Sequence, residues 1–339
     1  MANNRFLAFA PQVLLSGLFT AMFMYFFMQK DFLSMVFGFM VGLQAHVLVL
    51  VYETFLRPRL ARRNFFLATL TSTFVYLIII IWSVFFSLLI INAFKFTLVV
   101  NHFRQILFSV YMLYGITFGF ALSFLFSLYS MLETLLGRHF LIRLLTGKYH
   151  KPFEEERIIM FLDLKSSTSI AEKIGHKLFL SFLNDFMYDI SQPVLKSKGE
   201  IYKYVGDGAI ITWKMKYAQK KANPVVCFFQ IRELLDKNKN NYISKFGVVP
   251  TIKAGVHGGF VVTGEMGHIR KEIAYMGDVV NTTSRIESMC NSLNVDFLIS
   301  DEILTQFSYL ENYETVDLGE HILKGKENPV KLSTVRSAQ

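Results

Sequence analysis

An α-helical transmembrane bundle of four spans followed by a mixed α/β domain is the fold class that this 339-residue sequence predicts. Three observations predict it. Hydrophobic residues make up 53% of the chain, with 35 Phe, an apolar excess beyond that of ordinary soluble domains. That excess is concentrated in the first 135 or so residues. Beyond about residue 155 the pattern changes to short apolar runs alternating with stretches of helical periodicity.

The apolar part contains four runs, about 8–28, 33–54, 65–93 and 105–131, each long enough to cross roughly 30 Å of hydrocarbon. The third is the longest, which predicts a tilt or a shifted boundary. The first lacks a small-residue cleavage site and is followed at once by another run, so it reads as a span rather than a signal peptide. Arg57, Arg59, Arg62 and Arg63 lie between the second and third runs, and Arg138, Arg143 and Lys148 follow the fourth. The opposite loops carry only Lys30, Lys95 and Arg104. The basic residues therefore place both termini, and everything after residue 135, in the cytoplasm of a multi-pass protein of the cell inner (plasma) membrane.

The net charge of +9 is partly this bias. Its expected partner is the lipid bilayer and not a nucleic acid, for which no motif is present. Cys227 and Cys290 fall in the cytosolic half, with neither a disulfide nor a metal-ligand spacing expected. LFSLYSMLETLLGRHFLIRLL (125–145) keeps apolar residues at helical spacing while charges appear, so the fourth helix continues into the cytosol until Gly147 and Pro152 end it. Two copies side by side would form a short parallel coil; a solvated stalk is the plainer reading. Gln44 and His46 lie within the second run, where such residues commonly serve as hydrogen-bonding glue between helices. The chain thus divides into a membrane domain (1–132), a helical linker (133–154) and a cytosolic domain (155–339).

In the cytosolic domain RIIMFLDL (157–164) reads as a buried strand and 166–195 as mostly helix. IYKYV and AIITW form a hairpin around Gly206-Asp207-Gly208, and 223–238 is a helix. TIKAGVHGGFVVTGEM (251–266) reads as a strand pair, 279–290 as a helix, and 297–300 and 314–335 as further strands. The hairpin tip has two readings. Asp-Gly is a strong turn signal because it tolerates positive φ. A carboxylate there is also a candidate ligand if another segment supplies a partner, and Asp163, at the exit of the apolar run IIMFL, does so. Two carboxylates at the ends of neighbouring strands suit a pair of Mg²⁺ ions, which take few hard oxygen ligands and leave room for phosphate and water. Ser166-Ser167-Thr168 then opens a helix whose free N–H groups make an anion site.

Five segments, FLDLKSST, YKYVGDG, AGVHGGFVVTGEMG, YMGDVVNTTSR and LKGKENPV, resemble in order the motifs of the class III adenylate and guanylate cyclase family over roughly 155–335. The resemblance implies a ferredoxin-like α+β catalytic domain working as a head-to-tail homodimer that shares its active sites. It makes Asp163 and Asp207 the ligands of two Mg²⁺, which Mn²⁺ can replace. Asn281 and Arg285 match the ribose- and α-phosphate-contacting pair supplied by the other protomer, and their spacing of four independently puts both on one helix face. Lys326 matches the triphosphate contact, with Lys324 as a competitor, and Ser167 and Thr168 face the phosphates. His257 reads as a satisfied strand-end histidine rather than a base.

Lys203 and Ala274 occupy the two base-reading positions. An ammonium only donates, which suits the adenine N1 acceptor and opposes the guanine N1–H. Alanine cannot accept from the adenine amino group, so selectivity for ATP rests on Lys203, with help from the backbone or a neighbour such as Tyr275. A second departure is Ser166-Ser167, where many family members have Gly-Phe. The expected activity is conversion of ATP to 3′,5′-cyclic AMP and pyrophosphate. A guanylate or mixed-purine cyclase and a catalytically silent nucleotide-binding membrane receptor are the alternatives, the latter opposed by the presence of both aspartates, Asn281 and Arg285. A channel or transporter is disfavoured by the scarcity of buried charge and of broken helices.

Overall fold

The computed structural model describes residues 13–22, 32–52, 65–91 and 149–338, apart from 219, 220, 270, 309 and 311, with a few isolated positions elsewhere. The chain divides into two compact units, Met1–Leu141 and Ile142–Gln339.

In the first unit the apolar runs form helices α1 (Val13–Met22), α2 (Phe32–Val51) and α3 (Phe65–Ile91). Within α3, Leu70–Ile91 is long and apolar enough to cross a membrane by length and composition, with a mean hydropathy of 2.9. Most of the run at 105–131 and the stalk at 125–145 lie outside the described residues. Small residues bring α1 and α2 together: a Cβ on Gly42 would stand 2.5 Å from Thr20 Oγ1, and one on Gly17 2.9 Å from the Phe39 ring. The Tyr52 and Ser72 hydroxyls are 2.8 Å apart, and Tyr52 meets the Tyr76 ring edge-on, tying the end of α2 to α3. The hydrogen bonding expected of Gln44 and His46 is incomplete. Gln44 Oε1 and His46 Nε2 are buried without a partner among the described residues.

The second unit is an α+β domain built on β1 (Phe153–Leu164). Its apolar run pairs antiparallel on one side with β3 (Gly208–Lys214) and on the other with β4 (Ile252–Met266). Between β1 and β2 (Glu200–Val205) come α4 (Ser167–Ile174) and α5 (His176–Lys196). Between β3 and β4 come α6 (Met215–Ala218), α7 (Asn223–Lys237) and α8 (Lys239–Phe246). The order β2–β3–β1–β4 is that of two interleaved split βαβ units, the expected ferredoxin-like arrangement. Beyond it follow β5 (Glu272–Met276), α9 (Asp278–Ser288), β6 (Phe297–Ser300), α10 (Asp301–Leu304), β7 (Tyr313–His321) and β8 (Val330–Ser337). The sheet continues from β4 through β6, β8 and β7, with β5 on the far half of β4.

Two expectations change. Residues 251–266 form one continuous strand rather than a pair, because Gly258 and Gly259 lie in ladder positions opposite Ile158 and Arg157 and do not turn the chain. The helix expected over 166–195 is two helices, divided at Gly175, whose φ of 80° a helix cannot hold.

One face of the sheet buries Ile158, Met160, Leu162, Ile211 and Trp213 against Phe182, Phe186 and Ile190 of α5 and Phe228 and Ile231 of α7. Each large side chain here removes apolar surface worth about 1.5–3 kcal/mol. The opposite face receives α9, whose backbone lies against β4 where the strand has no side chain: a Cβ on Gly255 would sit 2.3 Å from the Glu287 nitrogen. Arg157, 1% exposed, binds Glu155 and Glu200 at 3.1 and 3.2 Å and lies 5.2 Å from the Tyr275 ring, so it joins β1, β2 and β5. The start of the domain is fastened to the same strands. The Glu265 N–H donates to Tyr149 O at 3.0 Å, and the Glu265 carboxylate accepts from His150 and Lys271 at 2.9 and 3.1 Å.

Gly255→Ala is expected to destabilise the domain by about 1–3 kcal/mol through this backbone contact, whereas Gly264→Ala, whose Cβ would meet Pro152 at an ordinary 3.4 Å, costs less. Denaturant midpoints of the two variants, measured side by side, check the ranking.

Candidate active site

The site begins with two carboxylates. Asp163 stands at the end of β1, where it is directly opposite Lys253 of β4. Asp207 occupies the tip of the β2–β3 hairpin. There the positive φ is taken by Gly206, at 59°, and Asp207 is not among the positive-φ residues. The turn therefore does not need an aspartate for its geometry. Gly208 has a separate role: a Cβ there would be 2.5 Å from Leu162 O and 3.2 Å from Asp163 Oδ1, so the hairpin closes onto the end of β1 only with glycine. Burial and the neighbouring charge of Asp207 hold the Asp163 carboxyl above its usual range, partly offset by Lys253.

Lys253 Nζ lies 3.3 Å from Asp163 and 2.8 Å from Glu287 on α9. Glu287 is likewise raised, first by burial, with Lys253 opposing and both aspartates adding to the rise. One ammonium thus serves a region of three carboxylates. A site short of positive charge, presenting hard oxygens from Asp163 and Asp207, fits divalent cations of the magnesium type. Among the described residues no group of three His, Cys, Asp or Glu side chains forms a metal cage. The remaining coordination would fall to backbone, water and phosphate, as is usual for Mg²⁺.

Ser167 and Thr168 open α4, the helix that follows Asp163 in the chain. Ser166 before them has φ 54°, a left-handed conformation that glycine adopts most readily. On α9, Asn281 is exposed and Arg285 half-buried, with its guanidinium beside Gly325, 3.4 Å from where a Cβ would stand. Lys326 donates to Asp278 at 2.5 Å at the start of α9, while Lys324 is exposed. The structure therefore brings Lys326, rather than Lys324, to the Asn281–Arg285 helix. No hydrogen bond or ion pair among the described residues joins Asp163 or Asp207 to Asn281 or Arg285.

Lys203 is exposed on β2 and donates to Glu272 of β5 at 3.3 and 3.4 Å. Ala274 is buried two residues further along β5. Tyr202 and Tyr275, next to them, pack with ring centroids 4.5 Å apart and planes tilted by 53°, and Tyr202 Oη accepts from the Tyr275 N–H at 3.3 Å. Lys253, Glu287, Asp278 and Glu272 were not read from the sequence as site residues. A lysine inside the apolar strand TIKAGVH was the available signal for the first.

His257 is buried, with Nδ1 2.7 Å from Ser300 Oγ, in keeping with a structural role.

A family model for the adenylate and guanylate cyclase catalytic domain matches residues 149–334, and the chain belongs to that family. Adenylate cyclase 2 of Rhizobium meliloti (strain 1021) is 40% identical over 192 residues, covering 57% of this chain and 53% of that protein. The adenylate cyclase of Anabaena cylindrica is 25% identical over 183 residues, covering 53% and 36%. The chain thus spans about half the length, or less, of these curated relatives. A bacterial light-regulated adenylyl cyclase shares the fold, with a TM-score of 0.58 at 18% identity over 69% of this chain and 68% of that one.

Burial, followed by the nearby Lys326, pulls the His257 imidazole down to about 4 from its ordinary 6.5, with Asp278 opposing. Because the folded state binds this proton less readily than the unfolded state, the stability present above pH 6.5 is lost as pH falls toward 4, by about 3 kcal/mol. His257→Gln is expected to flatten the dependence of the denaturation midpoint on pH across that window.

Proposed function

We propose that this chain is an adenylate cyclase of the inner membrane that converts ATP to 3′,5′-cyclic AMP and pyrophosphate as a homodimer. The observation that carries the reading is the convergence of Asp163 and Asp207, undercompensated by cations, in a member of the cyclase family. These two residues would hold two Mg²⁺, or Mn²⁺ in their place. When bound, the ions acidify the ribose 3′-hydroxyl and neutralise triphosphate charge.

The chain's own side chains supply the rest. Lys253 fixes the direction of the Asp163 carboxylate by its ion pair. Lys326 is already beside α9, and exchanging Asp278 for a triphosphate oxygen replaces one charge-assisted contact with another. Arg285 offers its guanidinium to charge growing on the α-phosphate, and Asn281 orients the ribose. N–H groups at Ser167 and Thr168 face phosphate oxygens. Lys203 donates to adenine N1. Because Asn281 and Arg285 would act on the substrate held by the partner's aspartates, each site needs two copies.

Exposed apolar side chains support that pairing. Tyr204 and Val205 at the hairpin, Phe260 and Val262 on β4 and Met276 on β5 are all exposed, Phe260 by 64%, apolar side chains that a second copy would cover. The membrane part, on this reading, comprises four spans with both termini and the catalytic domain cytoplasmic. Leu70–Ile91 and the arginines at 57–63 are its supports.

The test is cyclic nucleotide formation by detergent-solubilised full-length protein, with ATP and GTP in parallel and Mg²⁺ or Mn²⁺ present. Asp207→Asn is expected to lower cyclic AMP formation by roughly 100-fold or more while leaving the fold intact. Wild-type protein no more active than this variant would overturn the proposal. Equal turnover of GTP would instead make the enzyme a mixed-purine cyclase.

A further inference from the structure

We propose that Glu272 is the acceptor half of the purine-reading pair, in the place that Ala274 leaves vacant. The inference rests on the cyclase reading above and deepens it at the base.

A purine with an amino group at C6 presents an acceptor at N1 and a donor beside it. A site that tells this edge from others needs one donor and one acceptor, side by side. Lys203 can supply only the donor. Ala274 is apolar and buried, so it offers no side-chain acceptor. Among the described residues, the carboxylate that touches the Lys203 ammonium is Glu272, whose two oxygens lie 3.3 and 3.4 Å from Nζ.

Strand geometry puts this carboxylate in the right row. Side chains alternate along a strand, so Glu272 and Ala274 share one face of β5 while Ile273 and Tyr275 share the other. Tyr275 packs on Tyr202 across from β2, whereas Lys203, the next residue, reaches Glu272. The register shift between Ile201 and Lys203 marks the irregularity in β2 that accompanies this arrangement. Lys203, Glu272 and Ala274 thus form one row, with the tyrosine pair behind it and Arg157 against Tyr275 holding that layer.

Both members of the pair are accessible, with Lys203 and Glu272 side chains 48% and 36% exposed. An exposed pair is held weakly and opens at little cost to admit a base edge. Lys203 then donates to N1 while the carboxylate accepts from the amino group. Guanine presents the reverse order, an O6 acceptor toward the carboxylate and an N1–H donor toward the ammonium, so the same pair selects against it.

The test compares kcat/KM for ATP and for purine riboside triphosphate, which keeps N1 and lacks the amino group. Full-length wild-type protein, Glu272→Ala, Glu272→Gln and the double variant Glu272→Ala with Ala274→Asp are measured. Wild type is expected to favour ATP by about tenfold or more, the worth of one hydrogen bond to a charged acceptor. That preference should collapse in Glu272→Ala through loss on ATP alone, survive in part in Glu272→Gln, whose amide oxygen still accepts, and return in the double variant. An unchanged ratio in Glu272→Ala would overturn the assignment. So would an equal loss on both nucleotides, which would make Glu272 a support for Lys203 only. Wild-type protein that forms no cyclic AMP would instead sink the cyclase reading, and this assignment with it.

Discussion

A single ammonium placed among three carboxylates is the constraint on which the catalytic half of this protein turns. Lys253 faces Asp163 across two strands and reaches Glu287 on the helix above. It thereby links the strand that carries one candidate metal ligand to the helix that carries Asn281 and Arg285. The charges do not balance: burial, and after it the Asp207 carboxylate at the hairpin tip, hold Asp163 above its ordinary range. The folded domain therefore carries a repulsion that a bound divalent cation would relieve. Any cation that binds the folded state alone stabilises it by mass action, so affinity and fold stability are coupled in this region.

The same strand organises most of what surrounds the site. In 15 residues β4 supplies Lys253 to the carboxylates, Gly255 to the backbone of α9, His257 to Ser300, Phe260 to an exposed apolar face and Glu265 to the entry of the domain. Its first half pairs with β6 and its second with β5. A strand so heavily committed leaves little freedom to the elements on either side. The position of α9 is set as much by missing atoms at Gly255 as by the side chains of Val279 and Ile286 that anchor it.

Much of this could be read before any coordinates. The apolar run ahead of Asp163 specified a buried strand ending in a carboxylate, and the spacing of Asn281 and Arg285 specified a shared helix face, because both are local periodicities. The pairing of Asp163 with Asp207 was legible only through the order of the motifs. What stayed hidden was the set of counterions. Lys253, Glu287, Asp278 and Glu272 act through partners 34 to 90 positions away, and no local pattern marks such contacts. The single strand at 252–266 was misread as two for a related reason. A Gly-Gly pair signals a turn locally, yet here it serves to admit neighbours in a sheet whose ladder continues past it.

The two cysteines give the domain a chemical property apart from catalysis. Cys227 and Cys290 are the chain's full complement, both are buried and unpaired, and burial pushes each thiol up to about 12. At neutral pH neither presents a thiolate to solvent, so the folded domain is silent toward thiol-directed alkylating reagents. A cysteine introduced at a fully exposed position such as Ile269, at the tip of the β4–β5 arm, would be the only thiol such a reagent meets. The native chain is in effect a clean background for a single spectroscopic label on that arm.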